Sequence, residues 1–263
     1  MSDLLASRWA TLRKARRPAL IPYLTAGYPD RSRSIEALRV LQDAGADILE
    51  VGMPFSDPLA DGPVIQASTA AALRQGMNVA GMLDLLGEAA LETPVVAFGY
   101  VNPILQYGVA NFLRDARAVG VAGLLVTDVP VGEDVAFDAE VRASGMPLIP
   151  LVAPTTSDRR LERMMAEARG FVYLIARLGV TGAPTTVGGG VAHDVARVRR
   201  HTDLPVVVGF GIAEPREAAA VARLADGVVV GSAMVRQLDA GVAAMRTFAT
   251  ELRHALDAAV DPL

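Results

Sequence analysis

Three carboxylates lie close together in one stretch of the chain, and their type and spacing suit acid–base chemistry. Glu50 directly follows the apolar residues Ile48 and Leu49, whereas Asp57 and Asp61 lie in the next segment, which is rich in Pro, Gly and Asp. An apolar run predicts a buried strand whose end leads into a loop that can move. The pattern therefore predicts one rigidly held acid and others on a mobile loop, as proton transfer on an enclosed substrate requires.

The same acids also have a purely structural interpretation. Asp bonds to its own backbone and Pro fixes φ, so Asp57 in a Ser-Asp-Pro sequence is typical of a turn. Glu50 is harder to explain in this way, because an unpaired carboxylate at the edge of an apolar interior is costly. Weighing the structural against the chemical interpretation favours a chemical role for Glu50 and Asp61 more than for Asp57.

Composition excludes several classes of protein. The chain has 263 residues, 52% of them hydrophobic, with a formal net charge of -4, and therefore lacks the basic field that binds nucleic acid or anionic lipid. It has no apolar run of about 20 residues that would predict a membrane span, and its start does not resemble a signal peptide. We therefore expect an ordered globular protein that acts on a small molecule.

The counts of Cys, Lys and His restrict the chemistry further. The chain contains no cysteine, which excludes disulfides and thiolate nucleophiles and fits a cytoplasmic enzyme. Its only lysine, Lys14, precedes the first predicted strand, which argues against Schiff-base catalysis from inside the domain. We expect His193, His201 and His254 on helix surfaces, and we predict no metal site.

Short apolar runs recur at regular spacing and are separated by segments with helical periodicity. The predicted strands are residues 19–24, 46–51, 94–98, 122–126, 147–152, 171–176, 205–208 and 227–230. Eight strand–helix units predict a single (β/α)8 TIM barrel, an α/β fold formed by one domain over residues 1–263, with an extra N-terminal helix to about residue 16. A doubly wound open sheet is the alternative, but the first turn, TAGYPD, lacks the Gly-rich fingerprint of that fold.

Glycines follow the last three predicted strands and indicate a phosphate site. Such loops, with the N-terminus of a short extra helix, often hold phosphate in barrels, because glycine lets backbone N–H groups approach the oxygens. The sequence predicts a short phosphate-binding helix after strand 8, and residues 181–191 form a candidate lid. The predicted phosphate-binding residues are Gly182, Gly211, Gly231 and Ser232.

Taken together, these motifs resemble the α subunit of tryptophan synthase over essentially the whole chain. The resemblance is carried most specifically by EVGMPFSDPLADGPVIQ at residues 50–66, and further by PYLTAGYP at 22–29, YVNP at 100–103, DVP at 128–130, RLGVTG at 177–182 and GFGI at 209–212. The resemblance implies cleavage of indole-3-glycerol phosphate to indole and glyceraldehyde 3-phosphate. It also implies an α2β2 assembly with a β subunit that holds pyridoxal phosphate, whereas this chain carries no cofactor.

The resemblance places Glu50 and Asp61 as the two catalytic carboxylates, and Tyr173 as a tyrosine near the glutamate. We expect substrate contacts from Tyr23, Tyr100, Tyr173, Thr181 and Phe210, with Phe210 and Leu125 as candidates for a wall against the indole ring. The expected β-subunit contacts, at the same barrel mouth, are Pro54, Phe55, Asp57, Pro58, Asn102 and Pro103.

The expected reaction is a retro-aldol cleavage in which the indole ring accepts the electrons once its C3 carbon is protonated. We assign Glu50 as the proton shuttle and Asp61 as the group that stabilises positive charge at the indole N–H. A glutamic acid with an ordinary pKa of about 4.3 is a poor proton donor at neutral pH. We therefore predict that burial near Tyr23 and Tyr173 raises the pKa of Glu50.

Three alternatives stay open at this point. The chain could be another barrel enzyme acting on a phosphorylated sugar, although its lack of a barrel lysine and of a strand-end histidine argues against the lysine-dependent synthases and the metal-dependent epimerases. It could instead bind and activate a partner with negligible turnover of its own. It could also be a stand-alone lyase that releases indole.

Overall fold

The computed structural model describes residues 4–175, 189–209 and 211–260, and over these residues the chain alternates between strands and helices. The strands are β1 Ala19–Thr25, β2 Leu49–Gly52, β3 Val95–Gly99, β4 Val121–Val126, β5 Leu151–Val152, β6 Val172–Ile175, β7 Val206–Gly209 and β8 Gly227–Val230. The helices are α1 Leu4–Ala15, α2 Arg31–Asp43, α3 Pro63–Arg74, α4 Val79–Ala89, α5 Val101–Tyr107, α6 Val109–Ala118, α7 Val135–Ser144, α8 Asp158–Glu167, α9 Gly189–Arg199, α10 Pro215–Ala222, α11 Ser232–Asp239 and α12 Val242–Ala259.

All eight strands are parallel, and they close into a barrel. The order is β4-β3-β2-β1-β8-β7-β6-β5, so each strand lies beside its neighbours in sequence and β1 pairs with β8. The ring is completed between β4 and β5 by a single bridge, Leu124 to Leu148. We call this junction the β4–β5 seam. The predicted TIM barrel, with its N-terminal helix and its short helix after β8, is confirmed.

Alternation along the strands decides which side chains face the inside of the barrel. For example, Ile21 on β1 and Ile48 directly before β2 belong to the inner cluster, whereas Leu20 and Leu49 pack outwards against the helices. Glu50 is in phase with Ile48, so the same alternation turns its carboxylate inwards. The inner cluster consists of Leu5, Trp9, Leu12, Ala19, Ile21, Ile48, Val96, Leu125, Ile149, Phe171, Tyr173, Val207 and Val229.

Helix α1 closes the bottom of the barrel. Its side chains Leu5, Trp9 and Leu12 join the inner cluster, and the Trp9 ring lies 5.6 Å from the ring of Phe171. The opposite end, where the strands terminate, is therefore left as the open mouth. No helix in the described part of the chain is both long and apolar enough to span a membrane.

A buried ion-pair network holds the starts of β1 and β2 in register. Asp47, 1% exposed, accepts the backbone N–H of Leu20 over 2.9 Å and pairs with Arg253 at 2.9 Å and Arg17 at 3.1 Å. Because Arg253 lies on α12, the last helix is tied to the first two strands. Fixing the strands at the bottom of the barrel also aligns their ends at the mouth.

Two predicted strands begin three and four residues too early, respectively. β2 starts at Leu49 rather than at residue 46, so Glu50 is its second residue and does not lie near its end. β5 contains only Leu151 and Val152, whereas residues 147–152 were predicted. The reason for the short β5 is local, because Pro147 and Pro150 lack the backbone N–H that a regular ladder needs.

Candidate active site

A cavity of about 370 Å³ opens at the carboxyl ends of the strands, where barrel enzymes place their chemistry. It has an acidic side, an apolar wall and a glycine-rich end. The described residues that line it are Tyr23, Glu50, Ala60, Asp61, Gly62, Pro63, Ile65, Phe98, Thr127, Leu151, Tyr173, Ile175, Gly211, Ile212, Ala213, Val229, Gly231, Ser232, Ala233 and Arg236.

Glu50 is the most deeply buried acid of this cavity. It is 2% exposed, and its Oε1 atom has no hydrogen-bond partner among the described residues. Burial, reinforced by the negative charge of Asp61, raises the pKa of Glu50 to about 8. The predicted increase in its pKa is confirmed, and at neutral pH Glu50 is a protonated acid inside the cavity.

Asp61 lies on the β2–α3 loop and is only partly buried. Burial raises its pKa to about 6, and a hydrogen bond with the Tyr100 side chain works in the opposite direction by favouring the carboxylate. Tyr100 also accepts the backbone N–H of Ala60 at 2.9 Å, so one hydroxyl holds the loop immediately before Asp61. Between about pH 6 and pH 8 the pair therefore holds one proton, on Glu50, and one negative charge, on Asp61.

Tyr23 and Tyr173 line the cavity, and each lies over a glycine of the next strand. A Cβ atom on Gly52 would be 2.1 Å from the Tyr23 hydroxyl oxygen, and one on Gly209 would be 2.2 Å from that of Tyr173. Both pairs use the same register, because each glycine lies two residues beyond the tyrosine's partner on the neighbouring strand. Any larger residue at either glycine would displace the tyrosine.

Burial raises the pKa of both tyrosines well above the ordinary value, so they stay neutral phenols. The Tyr23 hydroxyl lies 3.2 Å from the Thr25 hydroxyl, which is 2.7 Å from that of Ser68 on α3. Ser68 in turn donates to the carbonyl of Ile65 at 2.8 Å. This chain of hydroxyls connects β1 to the helix that begins two residues after Asp61.

The glycine-rich end is built by the loop after β7 and by α11. Gly211 has φ +83°, a conformation that favours glycine, and Gly231 is the N-cap of α11. Ser232 is the first residue of α11, so the unpaired N–H groups of its first turn and the positive end of its dipole lie at the cavity. Gly211, Gly231 and Ser232 are thus brought together, as an anion site requires.

The middle of the cavity is an apolar wall that suits a flat aromatic ring. It is formed by side chains from several strands and loops. They are Ile65, Phe98, Leu151, Ile175, Ile212 and Val229. Leu125 is fully buried in the inner cluster and is not part of this wall, so that candidate was wrong.

Most of the described lining residues were not predicted individually, and for three of them the sequence held a usable signal. Thr127, directly after β4, and Leu151, the first residue of β5, both face inwards, and alternation from Leu125 and Ile149 could have identified them. Arg236 lies one helical turn after Ser232, and a spacing of four residues on a predicted helix was the available signal.

Several predicted site residues have a different position or fall outside the description. Tyr100 is 4% exposed and is not among the described lining residues, because its hydroxyl points to the Asp61 loop. Thr181, Gly182 and Phe210 lie outside the described residues, as does most of the candidate lid. The last residues of that segment, 189–191, belong instead to α9.

The predicted partner residues are divided between the interior and the rim of the mouth. Pro54 is buried and therefore offers no surface for the expected β-subunit contact in this structure, and the Phe55 ring packs 5.2 Å from the Tyr100 ring. Asp57 and Asn102 are exposed, and Pro58 and Pro103 are partly buried. Leu59 is the most exposed large apolar side chain of the described chain, at 92%.

The chain is similar in sequence and in fold to known proteins. A protein-family model described as "Tryptophan synthase alpha chain" matches residues 9–260. An aminoacrylate-bound tryptophan synthase structure from M. tuberculosis is 37% identical, covers 97% of this chain and 100% of its own, and superposes with a TM-score of 0.88. Tryptophan synthase subunit alpha from Legionella pneumophila is 31% identical, covers 98% and 100%, and has a TM-score of 0.88. A Mycobacterium tuberculosis tryptophan synthase in space group F222 is 39% identical, covers 96% and 97%, and also has a TM-score of 0.88.

Proposed function

Because the chain belongs to the tryptophan synthase α chain family, we propose that Glu50 and Asp61 are the catalytic carboxylates of its reaction. That reaction is the cleavage of indole-3-glycerol phosphate to indole and glyceraldehyde 3-phosphate, a lyase step in tryptophan biosynthesis. The family carries no cofactor in the α chain and pairs with a β subunit that holds pyridoxal phosphate.

The assignment depends on one observation: of the two acids in the cavity, one is protonated at neutral pH and the other is ionised. With a pKa of about 8, Glu50 is protonated at neutral pH, and with a pKa of about 6, Asp61 is ionised there. A retro-aldol cleavage of this substrate needs a proton for C3 of the indole ring and a negative charge near the ring nitrogen. The two protonation states match these two requirements.

In the proposed mechanism Glu50 gives its proton to C3, and Asp61 stabilises the positive charge that develops at the ring N–H. Glu50, now a carboxylate, removes the proton of the side-chain hydroxyl next to C3. The bond between C3 and the hydroxyl-bearing carbon then breaks, and its electrons restore the aromatic indole while a carbonyl forms on the product. Glu50 ends the turnover protonated, so no external acid or base is consumed.

The remaining parts of the cavity support the same substrate. The apolar wall offers contact for the bicyclic ring, and the first turn of α11 with Gly211, Gly231 and Ser232 offers N–H donors for the phosphate. Tyr23 and Tyr173 narrow the space around Glu50. We also assign Thr181, Gly182 and Phe210 to the site on the resemblance of their motifs to those of the family.

We further propose that the chain forms a single domain over residues 1–263, resides in the cytoplasm and enters an α2β2 complex. The exposed rim residues Asp57 and Asn102, with Leu59, lie next to the cavity mouth, which suits a partner that receives indole directly. Because Asp61 lies on the same loop, docking should order it, and ligand in the cavity should tighten partner binding by linkage.

The test is release of indole from indole-3-glycerol phosphate by the purified chain, alone and with a β subunit. Wild-type protein should release indole, and β should raise the rate. Glu50→Gln should lower turnover at least 100-fold, and Asp61→Asn should lower kcat more than it changes KM. Absence of turnover both alone and with β would refute a catalytic role. Turnover that β does not change, with partner affinity insensitive to glycerol 3-phosphate, would mark a stand-alone lyase.

A further inference from the structure

The cavity is short of positive charge for the substrate that it is proposed to take. Its described lining contains two acids, Glu50 and Asp61, and a single cationic side chain, Arg236. A phosphate ester carries nearly two negative charges at neutral pH. Backbone N–H groups and a helix dipole supply only partial charges, so a full positive charge near the phosphate would have a large effect.

Arg236 is placed where it can supply that charge. It is the fifth residue of α11, four positions after Ser232, so the two residues lie on the same face of the helix. Helical side chains point back towards the N-terminus, and the long arginine side chain can therefore extend towards the phosphate end of the cavity.

The guanidinium of Arg236 is also available to bind a ligand. It is exposed, and no described residue forms a hydrogen bond or an ion pair with its side chain. The helix that carries it is fixed, because Ala233, Met234, Val235 and Leu238 are buried and the Tyr28 hydroxyl donates to Asp239 at its last residue. Arg236 is thus a long flexible cation on a rigid base, directly beside the anion site.

We propose that Arg236 is a further phosphate-binding residue, whose guanidinium adds a charged donor to the backbone N–H groups of the α11 first turn. The proposal rests on the proposed function for the identity of the ligand. Arginine is suited to this role because its planar fork can give two parallel hydrogen bonds to phosphate oxygens and keeps its charge at any working pH. In this role Arg236 contributes to substrate affinity and to discrimination against ligands without phosphate, but it does not contribute to the bond cleavage itself.

The experiment compares Arg236→Met, Arg236→Lys and a matched control, Arg246→Met, which removes an exposed helical arginine on α12 away from the cavity. Glycerol 3-phosphate is titrated into each protein at low and high salt, and kcat and KM are measured for indole-3-glycerol phosphate. Arg236→Met should weaken glycerol 3-phosphate binding and raise KM about 10-fold or more at low salt, with kcat changed less than 3-fold. Arg236→Lys should recover part of the affinity, and Arg246→Met should match wild type.

Two further readouts separate binding of phosphate from a structural effect. Salt should weaken binding to wild type more steeply than to Arg236→Met, because one full charge has been removed. Turnover of indole-3-glycerol, which lacks the phosphate, should be the same in wild type and in Arg236→Met. Wild-type affinity in Arg236→Met at low salt, or an equal loss for the phosphate-free substrate, would overturn the proposal. Failure of wild-type protein to bind glycerol 3-phosphate or to release indole would instead count against the proposed function.

Discussion

The backbone N–H of Ala60 donates a hydrogen bond to the hydroxyl of Tyr100 over 2.9 Å, and this bond ties the loop that carries Asp61 to the end of β3. The same phenol is hydrogen-bonded to Asp61 and lowers its pKa. Tyr100 therefore acts on the second carboxylate without lining the cavity. Tyr100 was expected to contact the substrate. Instead it sets the position and the charge of Asp61, which is proposed to contact the substrate.

Replacing Tyr100 by Phe should raise the pKa of Asp61, because the hydrogen bond that favours its carboxylate is lost. We expect the acidic side of the kcat/KM profile to move to higher pH and kcat to fall about 10-fold. The control is Tyr107→Phe, which removes a surface hydrogen bond to Asp115 and should leave the profile unchanged. An unshifted acidic side in Tyr100→Phe would show that the phenol does not tune Asp61.

The pH dependence of kcat/KM should be bell-shaped for wild-type protein. Activity should rise as Asp61 ionises with a pKa of about 6 and fall as Glu50 loses its proton with a pKa of about 8. Asp61→Asn should flatten the acidic side and leave the basic side, at a lower rate. A profile without a basic side between pH 7 and about 9 would contradict Glu50 as the proton donor.

Glu50 should also make the fold less stable at high pH. Its pKa of about 8 in the folded chain is above the ordinary value of about 4.3, so from that value to about pH 8 the folded state holds a proton that the unfolded state has released, and the free energy of unfolding falls as pH rises. Glu50→Gln should remove this dependence and gain on the order of 3 to 5 kcal/mol relative to wild type across that window.

Urea unfolding at pH 5 and pH 8 measures that difference. Glu36→Gln, which changes an exposed glutamate on α2, is the control and should differ little from wild type at either pH. If the stability gap between Glu50→Gln and wild type were the same at both values of pH, Glu50 would not be a buried protonated acid.

Gly231→Ala tests the phosphate end without disturbing the fold. A Cβ there would lie 3.6 Å from Ile65, which is an ordinary contact, and the φ of Gly231 is -101°. The added methyl group should hinder approach of an anion to the first turn of α11, so glycerol 3-phosphate should bind about 10-fold more weakly while the melting temperature stays within about 2 °C. Gly87→Ala, within α4, is the control. Unchanged binding by Gly231→Ala would place the phosphate elsewhere.

Gly209→Ala should displace Tyr173, since a Cβ would be 2.2 Å from its hydroxyl oxygen and 2.5 Å from its Cζ. We expect a loss of about 1–3 kcal/mol of stability, as for other overpacked interiors, together with lower activity. Because Cζ also clashes, Tyr173→Phe should not restore the variant, whereas Tyr173→Val should. Equal costs of Gly209→Ala in the wild-type, Tyr173→Phe and Tyr173→Val backgrounds would exclude this clash.

The barrel itself could be predicted from the sequence because short apolar runs at regular spacing have few other solutions. The strand limits were less accurate where local chemistry intervened, as at Pro147 and Pro150. Glu50 and Asp61 could be identified from their own neighbourhood in the chain. The difference in their pKa values could not be quantified, because it depends on burial by distant strands and on Tyr100, which is nearly 40 residues away. Arg236 was not predicted for a related reason, since its proposed role depends on whether its side chain on α11 extends towards the cavity.

The β4–β5 seam has a consequence for how the cavity adapts to its contents. The two strands are held by the hydrogen bonds from the Leu124 N–H to the Pro147 carbonyl and from the Ile149 N–H to the Leu124 carbonyl, whereas every other pair of neighbouring strands has two to five paired residues. Thr127 and Leu151 stand on either side of this junction and both line the cavity. The barrel wall is therefore most compliant beside the space meant for the ring. Transient separation of the two strands would let a rigid bicyclic group enter and leave while the strands that carry Glu50, Tyr23 and Tyr173 keep their positions. Among the strands, amide hydrogen exchange should be fastest at this junction.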